Sequence, residues 1–131
     1  MKGFELEVCD ATRCERVAGV ASFVGEDASG QFGIMPGREA LATVLVYGLA
    51  RFRVVDGPWE YLALPEATLH FANDRLRIGT RRYLRGQDYR EIRAALDRDL
   101  KREEAQIAQV KGNLARLEEA IYRRLMEAGR G

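Results

Sequence analysis

Three glycines and a proline fall inside Gly30-Gln31-Phe32-Gly33-Ile34-Met35-Pro36-Gly37, in a stretch that is otherwise apolar and β-branched. Residues of these types serve recognition better than covalent chemistry. Glycine admits positive φ and lets another backbone come close, and proline fixes one torsion. The segment is therefore either a tight turn between strands or a stiff, shaped loop that meets a partner, and the residues alone leave both readings open. Groups suited to catalysis are sparse. The carboxylate pairs Glu26-Asp27 and Glu103-Glu104 fall on turn-like and helix-like sequence, where they are expected to be solvated. His70, the single histidine, lies in a strand-like run and reads as a packed or edge residue rather than a base. No G-x-x-x-x-G-K-[ST] and no G-x-S-x-G occurs, which excludes a P-loop hydrolase and the usual nucleophile constellations. The glycines at 30, 33 and 37 precede no helix, so they are not a dinucleotide fingerprint. A non-catalytic chain without cofactors is expected.

Cys9 and Cys14 flank Asp10-Ala11-Thr12-Arg13. In a hairpin they would lie opposite each other and could be bridged, whereas a cytosolic setting favours free thiols, which is the expectation here. Two cysteines and one histidine are too few ligands for a metal, so none is expected. With 131 residues, 47% apolar and 31% charged, the composition suits one soluble domain, or one with an appendage. The longest uncharged run, Ala40 to Ala50, is too short to cross a bilayer, and the N-terminus has no apolar signal core. Charge is uneven: residues 1–74 carry 6 Lys+Arg against 11 Asp+Glu, and residues 75–131 carry 15 against 9. The basic half could meet nucleic acid, acidic lipid or an acidic protein face.

The elements that must hold these residues change character once. Up to about Arg82 the dominant period is two. Phe4, Leu6 and Val8 alternate with Glu5 and Glu7. Val17 to Val24 follow less strictly, and Leu41 to Tyr47 reads as a strand covered on both faces. Asp56-Gly57-Pro58 and Asn73-Asp74 are turns, giving seven or eight short strands of an antiparallel sandwich or barrel over residues 1–86. From residue 87 to 131 the pattern is helical, with Asp88 as N-cap and Glu91 completing a capping box. Ile92, Leu96, Leu100, Ile107, Val110, Leu114, Leu117, Ile121 and Leu125 form an apolar stripe, interrupted over Arg102-Glu103-Glu104. Gly112-Asn113 could divide it into an antiparallel two-helix hairpin, or the stripe could run through one extended helix.

A sandwich followed by such helices, with Gly30, Gly33, Ile34, Pro36, Gly37, Leu41 and Thr43 matching G-x-x-G-I-x-P-G-H-x-P-L-L-T, resembles the ε subunit of F-type ATP synthases. Arg85-Gly86-Gln87-Asp88 stands where that family passes from sandwich to helices. Arg38 replaces the family's histidine, Ala40 its proline and Gln31 its glutamate, and Leu64-Pro65-Glu66 stands for its Gly-Gly. Tyr89 to Ala94 align with the ATP-binding pattern Leu/Ile-Asp-x-x-Arg-Ala. Arg93 and Ala94 match, but Arg90 takes the place of the aspartate, so ATP binding is expected to be weak or absent. The loop sequence looks more like the divergent N-type, sodium-translocating subclass.

The resemblance implies a non-catalytic central-stalk subunit on the cytoplasmic face of the bacterial inner membrane, peripheral through its complex. Its partners would be the γ subunit and the c-ring, with Gly30, Gln31, Phe32, Gly33, Ile34, Pro36, Gly37 and Arg38 as the partner-binding segment. Arg98, Lys101, Arg102, Arg116, Arg123 and Arg124 would be regulatory, meeting acidic loops of the catalytic β subunits to brake hydrolysis. The competing reading is a non-catalytic sandwich whose basic helical tail binds nucleic acid or another acidic partner. Against nucleic acid, the arginines are interleaved with few aromatics and the sandwich is acidic. A carbohydrate-binding sandwich would have Trp59 alone as its exposed aromatic.

Overall fold

The computed structural model describes residues 3–129, without the side chain of Leu100. Its strands are β1 (Phe4–Cys9), β2 (Cys14–Asp27), β3 (Gly30–Ile34), β4 (Leu41–Leu45), β5 (Gly48–Val54), β6 (Trp59–Leu64), β7 (Ala67–Ala72), β8 (Arg75–Thr80) and β9 (Leu84–Gly86), and they precede α1 (Tyr89–Ala128). All nine strands join one folded-over, sandwich-like sheet in the order β1-β8-β7-β4-β2-β5-β6-β9, with β3 attached to β2. β1 pairs with β2 as well as β8, so β1, β8, β7, β4 and β2 close on themselves. The β1–β8 pair is parallel and every other pair antiparallel.

β2 makes this closure possible. Its 14 residues serve two groups of partners, and the ladder register shifts between Phe4 and Leu6 on one side and between Val20 and Ser22 on the other. An irregularity of this kind bends a strand and resets which side chains face inward. Phe4, Phe23, Phe52 and Phe71 meet inside, with Leu6, Ile34, Leu62, Leu69 and Ile78 around them, all essentially without exposure. Phe4 and Phe71 meet edge-to-face with ring centroids 5.5 Å apart. At the Asn73-Asp74 turn both residues have positive φ, 51° and 55°, as a two-residue hairpin requires.

Three expectations are corrected. Cys9 and Cys14 are disulfide-bonded rather than free, because the hairpin register sets them opposite each other with Cα atoms 4.1 Å apart. β4 is not covered on both faces: its side chains alternate and Val44 remains 55% exposed. Gly30–Ile34 is a strand on the edge of β2 rather than loop, since Phe32 and Ile34 still have a core to face.

Of the two helical arrangements, the structure has the single helix of 40 residues. Asp88 caps it: its carboxylate accepts from the backbone N–H of Arg90 (2.9 Å) and Glu91 (3.2 Å). Gly112 costs such a helix about 1 kcal/mol but does not break it, since good helix formers resume at Leu114-Ala115-Arg116 after Asn113. The chain divides into two compact units at Leu96 and Asp97. The first takes in the opening turns of α1, because Ile92 and Leu96 are buried with Ala63 beside Tyr47, Leu49 and Tyr61. The second is the remainder of α1 from Asp97 onward.

Candidate partner-binding site

The glycine-rich segment is fastened at several points. Asp27 accepts from the Ser29 backbone N–H (2.9 Å) and hydroxyl (2.5 Å), which closes the turn into β3, and from the Thr43 hydroxyl (2.8 Å), which ties that turn to β4. The Ser29 hydroxyl, then Thr43, hold the Asp27 carboxyl below its ordinary range. Of the pair Glu26-Asp27, Glu26 is exposed and Asp27 half-buried, with the Asp27 carboxylate committed to these hydrogen bonds. Gly30 and Gly37 have φ of 122° and 83°, conformations that exclude most side chains, whereas Gly33 is ordinary extended strand.

The turn proper is Met35 to Arg38. The Gly37 N–H donates to Asp74 in the β7–β8 turn (2.7 Å), and Arg38 donates from its backbone to Met35 and from its guanidinium to the Gly33 carbonyl. Arg38 therefore spends its backbone N–H and one guanidinium donor on its own hairpin, and stays exposed. Among the residues read as partner-binding, Gln31, Gly33, Gly37 and Arg38 are exposed, and Phe32 and Pro36 are half-buried. Ile34 points into the core, so its side chain is not offered to any partner. Sequence reasoning passed over Met35, at 60% exposure the most prominent apolar group of the turn, and Val44 on the outer face of β4. An exposed methionine beside a glycine turn was the available signal.

A second fastening closes the sandwich at β9, a strand the sequence does not announce. Arg85 makes a two-pronged contact to Glu60 (3.0 and 3.3 Å) and reaches Glu15 (3.1 Å). Tyr83 donates its hydroxyl to Glu15. That bond, more than the arginines nearby, lowers the Glu15 pKa, and burial followed by the same carboxylate pushes Tyr83 up to about 12. Trp59, the lone sugar-binding candidate, has the guanidinia of Arg51 and Arg53 over its ring at 4.8 and 5.4 Å. His70 is exposed on β7 opposite Arg77.

Arg90, Arg93 and Ala94 all lie exposed in the first turns of α1. Arg98, Lys101, Arg102, Arg116, Arg123 and Arg124 are exposed further along, with Arg123 paired to Glu119 at 2.6 Å. At about 100° per residue these six cluster on one side of the helix, and Ile107, Val110, Leu114, Leu117 and Ile121 line the other. Glu103 falls in phase with the apolar stripe and accounts for its gap. Each of those five apolar side chains is more than half exposed.

The family model for the ATP synthase delta/epsilon chain β-sandwich domain matches residues 4–86. The chain belongs to that family, as the glycine motif and the order of elements suggested, and is a non-catalytic, peripheral subunit of the membrane-associated ATP synthase complex. A curated relative, ATP synthase epsilon chain 2 of Cereibacter sphaeroides, is 35% identical over 109 residues, which cover 82% of this chain and 75% of that one. The fold also matches a chain in the central stalk/c-ring structure of Tetrahymena thermophila mitochondrial ATP synthase (TM-score 0.53, 13% identity, 61% of this chain and 64% of that one). Another match lies in the OSCP/F1/c-ring structure from Euglena gracilis (TM-score 0.58, 16% identity, 71% and 61%). This chain thus spans somewhat less than two thirds of either structural neighbour.

Proposed function

We propose that this chain is the ε subunit of a bacterial F-type ATP synthase, seated in the central stalk at the cytoplasmic face of the inner membrane. Residues 1–86 form the domain that holds the γ subunit and the c-ring, and residues 87–131 the domain that governs ATP hydrolysis. The c-ring contact runs through the exposed members of the segment Gly30–Arg38, joined by Met35, and the polar tip suits the short loops of a membrane ring. The loop sequence favours the divergent N-type subclass.

The observation that carries the reading is the stripe from Ile107 to Leu125, every apolar member of which is at least half exposed. An apolar face of that length in water calls for a covering partner. Opposite it, Arg98, Lys101, Arg102, Arg116, Arg123 and Arg124 offer the charge that acidic loops of the β subunits would meet. With Arg90 in the place of the aspartate, regulation would not rest on ATP bound at the helix start. No helix among the described residues is long and apolar enough to cross a membrane, in keeping with attachment through the complex. Affinity purification of the tagged chain from its own cells tests the assignment: γ and c subunits should co-purify in fixed ratio. Recovery without them, or with nucleic acid instead, would refute it.

A further inference from the structure

The β1–β2 hairpin end carries a cluster that the stalk reading does not use. Asp10 donates its N–H to the Arg13 carbonyl (2.9 Å), closing the loop. The neighbouring pair, Cys9 and Cys14, then occupies a non-hydrogen-bonded site, where facing side chains come closest. Glu7 precedes Cys9 by two residues and shares its face. The ligand atoms of Glu7, Cys9 and Cys14 all lie within 4.8 Å of one another.

The sulfur–oxygen distance suits a metal, and reduction frees the two sulfurs to separate around it. In a tetrahedral zinc site with Zn–S about 2.3 Å and Zn–O about 2.0 Å, a sulfur and an oxygen ligand stand roughly 3.5 Å apart. Glu7 Oε1 lies 3.5 Å from Cys9 Sγ. The other oxygen, Oε2, accepts from Arg16 Nε at 3.0 Å, so the carboxylate is already oriented with one oxygen turned to the sulfurs. The sequence offered two cysteines and a distant histidine; the strand pairing supplies Glu7 as third ligand.

The geometry points to a redox-gated site for a thiophilic divalent cation, with zinc as its type, held by Cys9, Cys14 and Glu7 and completed by water. The disulfide form does not bind, because its sulfurs carry no thiolate. A dithiol or phosphine reductant delivers two electrons to the S–S bond; each sulfur takes up one proton, and the reductant leaves oxidised. The cation then displaces both thiol protons to solvent and binds the two thiolates. Arg16 offsets the anionic ligand set. The hairpin is stapled by the disulfide under oxidising conditions and by the metal under reducing ones.

The full-length chain, reduced with a phosphine and freed of metal, is titrated with Co2+. A thiolate-to-cobalt charge-transfer band and the d–d bands of a tetrahedral centre should appear and be bleached by one equivalent of Zn2+. The oxidised chain and Cys14→Ser should show neither. Glu7→Gln, checked for folding by circular dichroism, should weaken binding at least about tenfold. Reduced chain in which Ellman's reagent counts two thiols but cobalt gives no such bands would overturn the site. Unchanged affinity in folded Glu7→Gln would overturn the three-ligand assignment.

Discussion

The two compact units use the same apolar residues to opposite ends. In the first, four phenylalanines and a shell of Leu, Ile and Val reach essentially zero exposure inside a sheet that closes through β2. In the second, Ile107, Val110, Leu114, Leu117 and Ile121 repeat at steps of three and four residues, yet each stays more than half exposed. One helix cannot bury its own stripe, because its side chains all radiate outward and its backbone bonds are already satisfied internally. The apolar residues of the first unit are thus covered within its own fold, whereas the stripe of the helix from Ile107 on is left at least half exposed. α1 spans both conditions: Ile92 and Leu96 are buried in the first unit, and the stripe members from Ile107 to Leu125 are at least half exposed.

The sharpest break in this contrast is truncation within the core. Phe52→Ala should cost about 3–5 kcal/mol and unfold a large share of the chain at physiological temperature, as read by urea denaturation. Smaller is the effect at the glycine turn. Gly37→Val forces a β-branched residue to φ of 83° and should cost about 1–3 kcal/mol, while Gly33→Val, on ordinary strand with only the Phe23 carbonyl oxygen 3.8 Å from a new Cβ, should leave the fold nearly unchanged. Loss of c-ring attachment in Gly33→Val with its melting temperature intact would separate recognition from folding. Equal losses would assign the glycines to the fold alone.

Burial of Tyr83, together with its bond to Glu15, gives the sandwich a pH signature. Tyr83 is raised to about 12 in the folded chain, so its contribution is complete below the unfolded value near 10 and is lost as pH rises from there to about 12. Glu15 is lowered, so its contribution is present above the ordinary glutamate range and is lost as pH falls through the folded value. Urea midpoints from pH 9 to 11.5 should fall in the intact chain and fall less in Tyr83→Phe. Smallest of all, Leu114→Ala should change the stability of the free chain by less than about 0.5 kcal/mol, since the side chain is exposed and alanine favours helix.

Much of this was legible in the sequence because the physics was local. Strict alternation in Phe4–Val8 and in β7 marks one buried face, Asn73-Asp74 marks its turn, and Asp88 marks the helix start. Long-range pairing was not legible. β2 lost its phase to a register shift that only its two partners reveal, and the three residues of β9 are a strand only because β6 is there to pair with them. Unbroken apolar sequence in β4 looked doubly covered, yet Val44 faces outward, as an interface residue would. At the turn, residue type picked out Gly30 and Gly37, but only the fold shows that Ile34 turns inward and Met35 outward. The disulfide escaped because compartment was weighed above register.

The division between units also sets where the helix can be cut. A stop after Leu96 keeps Ile92 and Leu96 in the first unit's core and removes every exposed member of the stripe from Ile107 on. The complex carrying that truncated subunit should assemble with γ and the c-ring and hydrolyse ATP at least as fast as the intact enzyme, because the basic, apolar-striped element that would brake the catalytic head is gone. Failure to assemble, or slower hydrolysis by the assembled complex, would contradict the account.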